Sequence, residues 1–120
     1  MNSITLLLPQ MNEDLNKLVS QVRRDILRMV HAVNSGHPGG SLGCTEFLTT
    51  LYFNHLNHNT KFDMDGINED LFFLSNGHIS PVLYSVLARS DYFDIKEVMS
   101  RISTNMHYIH KETLDYLNKF

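Results

Sequence analysis

Two histidines of this 120-residue sequence sit in glycine-containing turns, and their settings are where chemistry is to be sought first. His78 closes the string Leu74-Ser75-Asn76-Gly77-His78 and stands just before Ile79-Ser80-Pro81. The apolar run Leu71-Phe72-Phe73-Leu74 ahead of it reads as a buried strand. Behind it, Ser80 as cap and Pro81 as first helical residue open a helix whose buried stripe is Val82, Leu83, Val86 and Leu87. A histidine at the carboxyl edge of a strand, beside the N–H groups of the next helix, is placed to meet an anion such as phosphate. Gly77 allows a tight turn, and an imidazole can donate a hydrogen bond or exchange a proton near neutral pH.

His37 is similarly set, in Ser35-Gly36-His37-Pro38-Gly39-Gly40-Ser41-Leu42-Gly43. Pro38 biases it toward an extended conformation and so fixes where its ring points. For each histidine the local chemistry leaves two readings open: an imidazole that faces a ligand, or a surface residue in a turn that only ends an element. Two Gly-His turns, each joined to a helix, suggest a site more strongly than either alone.

The other candidates are weaker. His55 with His58 and His107 with His110 are three apart, the spacing of one helical face, but neither pair has a carboxylate or cysteine at the spacing of a zinc motif, so no metal site is assigned. Asp63, Asp65, Gly66 and Glu69 have part of a calcium-loop pattern, which Lys61 and Phe72 break at its two ends. Cys44, the single cysteine, cannot form an internal disulfide and reads as a small apolar core residue, in keeping with a reducing compartment.

The elements that must hold the two histidines follow from periodicity. Leu15, Leu18, Val19, Val22, Ile26, Met29, Val30 and Val33 recur at steps of three and four and predict a long amphipathic helix over 12–34. Ser35-Gly36-His37-Pro38 stops it, with Gly36 as the left-handed cap. A second helix is predicted over 44–56, with Phe47, Leu48, Leu51 and Tyr52 on its apolar face, followed by a polar loop over 57–70. Asp94-Ile95-Lys96-Glu97 has the spacing of a capping box and opens another helix to about residue 102, and 110–117 forms a last one.

Composition bounds the partners. Ten Lys and Arg against thirteen Asp and Glu, interspersed, give a net charge of -3 and no basic footprint for nucleic acid. The apolar stretch over 4–8 is too short for a signal-peptide core or a membrane span, so a cytoplasmic protein with no membrane partner is expected. The length suits one small domain or a piece of one.

The two strings together resemble a known family. Residues 35–43 resemble the SGHPGxxLG signature of transketolases, and residues 74–78 resemble their LSNGH motif, in the same order. Phe72-Phe73, Pro81, Tyr84, Ala88-Arg89-Ser90 and Tyr92-Phe93 look like that family as well, particularly the split bacterial forms. The likeness covers 1–93, is strongest over 24–93, and gives way to a divergent helical tail over 94–120; Asp91 stands where the family usually has Gly.

The resemblance implies an α/β thiamine-diphosphate-binding fold, of which this stretch is a mostly helical part with one core strand at 71–74. It implies that His37 is catalytic, contacting a sugar substrate and assisting proton movement, and that His78 is cofactor-binding, near thiamine diphosphate and its phosphates. In the complete family enzyme the cofactor is thiamine diphosphate with Mg2+, and the reaction transfers two-carbon ketol units between the sugar phosphates of the pentose phosphate pathway. The family's third histidine in Gly-His-Pro, its Gly-Asp-Gly and a later Asn are absent from this sequence, as is the catalytic glutamate of the enzyme's other half. The expectation is therefore a transketolase N-terminal piece, inactive and a poor cofactor binder alone, partnered by a C-terminal transketolase subunit or by its own copies. The alternative is a non-catalytic remnant or interaction module that binds a transketolase-like partner.

Overall fold

The computed structural model describes residues 3–61 and 65–96. Helix α1 runs over Ser3–Val33, α2 over Pro38–Gly43 and α3 over Thr45–Thr50; α3 widens into a π-helical turn at Leu51–His55. A long loop follows, then a 3₁₀ turn at Gly77–Ile79 that passes directly into α4, Ser80–Arg89.

Periodicity located the core-facing stripes. In α1, Val19, Val22, Ile26 and Met29 are buried, and in α4, Val82 and Val86 are buried. One cluster joins Val22, Ile26, Leu48, Tyr52, Ile79, Val82 and Val86; a smaller one joins Met29 and Ala88, with Tyr84, Phe93 and Ile95 against them. Half-buried Cys44 packs against the larger cluster.

Several boundaries differ from expectation. α1 begins at Ser3 rather than residue 12; the run Leu6-Leu7-Leu8 carries no three- or four-residue period from which a helix could be read. The capping bonds form at Asn34, at φ 49°, rather than at Gly36, which also has a positive φ: the Asn34 N–H bonds the His31 carbonyl at 3.1 Å and the Ser35 N–H bonds that of Val30 at 3.3 Å. The segment after His37 is not an open turn, since Pro38 starts the short helix α2, which ends at Gly43; the helix expected over 44–56 follows as α3 and its π-helical turn, with Cys44 at its cap. Ser80 is the first residue of α4, not its cap; Ile79 holds the cap position, and no side chain bonds there. Phe47, assigned to a core face, is 65% exposed.

The strand expected at 71–74 is not formed, and no strand occurs among the described residues. A strand is defined by a neighbour that completes its ladder. Here none is supplied. The segment nonetheless keeps a two-residue alternation: Leu71 and Phe73 are 70% and 84% exposed, whereas Phe72 and Leu74 pack on the main core. In 94–97, the Lys96 N–H bonds the Asp94 carboxylate at 2.8 Å, as at a helix start, and the continuation of that helix and the one expected over 110–117 lie outside the described residues.

Candidate functional site

The structure brings His37 and His78 together. Their ring centroids are 6.0 Å apart and the planes meet at 87°, an edge-to-face arrangement, although the residues are far apart in sequence. Both side chains are exposed, so the pair faces outward.

Each ring is positioned by its turn. After the Asn34 cap, Gly36 takes φ 120°, a conformation that side chains disfavour, and swings the chain so that His37 caps α2 at φ -118° and ψ 87°. A Cβ at Gly36 would meet only ordinary contacts with Val30, so the backbone angle, not crowding, requires glycine. On the other side, the Ile79 N–H bonds the Asn76 carbonyl at 3.1 Å, closing the short turn that carries His78. The edge of the His78 imidazole lies over Gly40 of α2, with Cδ2 and Nε2 each 3.8 Å from where a Cβ would stand.

Beneath the site, α1 and α4 are clamped by a buried ionic network. The Asp25 carboxylate is wholly shielded from solvent and accepts hydrogen bonds from Arg89 Nε and Nη2 (2.9 Å each), Ser85 Oγ (2.8 Å) and Gln21 Nε2 (3.0 Å). Burial opposes ionisation of Asp25, but the bonds from Arg89, Gln21 and Ser85 prevail and hold its pKa below the ordinary value of 3.8. The same pairing, by its hydrogen bonds to Asp25, raises the pKa of Arg89. No sequence motif marks this pair. A signal was present, because Asp25 falls on the apolar stripe between Val22 and Met29, where a carboxylate needs a buried partner.

His58, read as a loop residue, fastens the long loop to the core. Its Nε2 lies 2.8 Å from the Tyr52 carbonyl, which can only accept, so Nε2 carries the proton. Nδ1 pairs with the Tyr92 hydroxyl at 2.7 Å, and the two rings stack with centroids 5.5 Å apart. Both nitrogens are thereby engaged, which leaves the His55–His58 pair no role as a chelate; His107 and His110 lie outside the described residues. Among the described residues there is no group of three or more His, Cys, Asp or Glu suited to a metal ion.

Two neighbouring, exposed imidazoles can donate hydrogen bonds to phosphate oxygens or sugar hydroxyls. Comparison with known proteins gives that chemistry a context. Residues 15–113 match the model of the transketolase, thiamine diphosphate binding domain, and the chain belongs to that family. It is 38% identical over 79 residues to transketolase 2 of Vibrio vulnificus (strain CMCP6), an alignment of 66% of this chain and 12% of that protein. It is 39% identical over 75 residues to transketolase 1 of Aliivibrio fischeri (strain ATCC 700601 / ES114), an alignment of 62% of this chain and 11% of that protein. The chain thus spans about an eighth of the length of the curated relatives it matches. No helix among the described residues is long and apolar enough to cross a membrane.

Proposed function

We propose that this chain furnishes the two-histidine wall of a thiamine diphosphate site in a transketolase-type enzyme that moves two-carbon ketol units between sugar phosphates. The observation that carries the reading is the edge-to-face contact of His37 and His78 at 6.0 Å, which joins the two motifs of one family into one surface feature. The donor set suits a diphosphate and a polyhydroxylated substrate: two exposed imidazoles, each able to donate through one ring nitrogen and accept through the other. It does not suit the Mg2+ ion, whose oxygen ligands would come from outside these residues.

When bound, thiamine diphosphate supplies the carbon nucleophile and electron sink that ketol transfer needs. His78 binds and orients through hydrogen bonds from a ring N–H to phosphate oxygens, and His37 holds or releases a proton at a ring nitrogen toward the substrate's hydroxyl groups. The Asp25–Arg89 clamp keeps α1, which leads to His37, in register with α4, which leads from His78.

The remaining parts of the site come from residues other than these, for which a C-terminal transketolase-like subunit or further copies of the chain are the proposed carriers. Leu71 and Phe73 support such an assembly, since they project from an extended segment that has no ladder partner among the described residues, and added parallel strands would convert the described helical layer into an α/β domain. A module that binds a transketolase-like chain without taking part in catalysis would use the same face. The half-buried free thiol of Cys44 agrees with a cytoplasmic setting.

The discriminating experiment is mutation of each histidine in a reconstituted complex. His37→Ala is expected to abolish turnover with cofactor still bound, and His78→Ala to weaken cofactor binding. Full turnover in both variants would refute the assignment and favour the non-catalytic module.

A further inference from the structure

The seat of His78 against α2 depends on one missing atom. A Cβ at Gly40 would stand 2.8 Å from Ile79 Cγ2, closer than carbon atoms approach without something moving. Ile79 cannot yield cheaply: it is 6% exposed, belongs to the main core with Val82 and Val86, and its β-branched side chain is stiff about χ1. Relief must come from the backbone of the turn, and the residue next to Ile79 in that turn is His78. Gly40 has no positive φ and makes an ordinary helical bond, its carbonyl accepting from the Cys44 N–H at 3.1 Å. Its conformation therefore gives no reason for glycine. The space does.

We propose that Gly40 and Ile79 are a steric couple that sets the position of the His78 ring beside His37, and that both act as positioning residues for the thiamine diphosphate site. The glycine admits the Cγ2 methyl, the methyl locks the 3₁₀ turn onto α2, and the locked turn holds the imidazole edge-to-face with its partner. The second half of this statement rests on the functional reading above, whereas the first half is a property of the folded chain.

The couple predicts a specific rescue. Gly40→Ala in the full chain should abolish the through-space NMR cross-peak between the His37 and His78 rings while the helical amide pattern persists. Adding Ile79→Leu, which removes the β-branch at nearly constant volume, should restore the cross-peak; adding Ile79→Val, which keeps Cγ2, should not. If Gly40→Ala alone fails to fold, the Gly40→Ala/Ile79→Leu double variant decides, by folding with the cross-peak or not. A cross-peak that survives Gly40→Ala, or equal rescue by Leu and Val, would overturn the couple. Cofactor affinity is measured separately in the reconstituted complex, where it should fall with Gly40→Ala and return with Ile79→Leu. Absence of cofactor binding by the wild-type complex would contradict the functional reading and leave the steric couple standing.

Discussion

Arg89 grips Asp25 with two parallel hydrogen bonds of 2.9 Å across the contact between α4 and α1, and the carboxylate it grips has no exposure to water. Removing one member of a buried pair leaves the other charge uncompensated, at a cost of roughly 3–5 kcal/mol. Arg89→Ala should destabilise at the lower end of that range, because Ser85 and Gln21 still bond the carboxylate. Urea unfolding at neutral pH measures the loss.

The same carboxylate predicts acid sensitivity. Its pKa in the fold lies below the ordinary 3.8, so in acid the unfolded chain binds the proton first, and stability rises with pH across that interval. The contribution is complete above about pH 4 to 5 and is lost as pH falls through the folded value. Asp25→Asn should be less stable at neutral pH and should show a flatter acid limb in unfolding free energy against pH.

Asp91 adopts φ 66°, in the left-handed region that favours glycine. It ends α4 in a two-bond cap, with the Asp91 N–H to the Ala88 carbonyl and the Tyr92 N–H to the Leu87 carbonyl, both 3.1 Å. The left-handed angle is unfavourable for a residue with a Cβ, and a carboxylate opposes the helix dipole there. Asp91→Gly should therefore raise stability by about 0.5–1 kcal/mol, the greater unfolded-state entropy of glycine offsetting part of the gain. A shift of the urea midpoint upward, with unchanged slope, is the expected result.

Phe73 is 84% exposed on a segment without a ladder partner among the described residues. Phe73→Ser should change the stability of the chain by no more than about 0.5 kcal/mol, as surface substitutions generally do. It should, however, weaken association with a transketolase-like partner, or self-association, in sedimentation measurements. A change in stability without a change in association would contradict the proposed docking face.

What was legible in the sequence was what depends on local period and local chemistry. The stripes Val22-Ile26-Met29 and Val82-Val86 were readable from three- and four-residue steps, and the Gly-His strings marked the two turns whose rings the fold sets side by side. What escaped depends on distant contacts. No local pattern says that Arg89 reaches Asp25, or that His58 bridges Tyr52 and Tyr92, because those bonds exist only after the helices pack. The apolar run at 71–74 was read from composition as a strand, yet a ladder needs a second segment, and the described residues offer none. The left-handed cap moved from Gly36 to Asn34 because asparagine tolerates that conformation nearly as well, and the helix register placed the cap two residues earlier.

The proposed His37–His78 wall would be one part of a thiamine diphosphate site, completed by metal-binding residues other than those described. Calorimetric titration of the full chain with thiamine diphosphate and Mg2+, alone and after mixing with a C-terminal transketolase chain, tests it most directly. The account predicts no saturable heat from the chain alone and saturable binding by the mixture that weakens in His78→Ala; tight binding by the chain alone would contradict it.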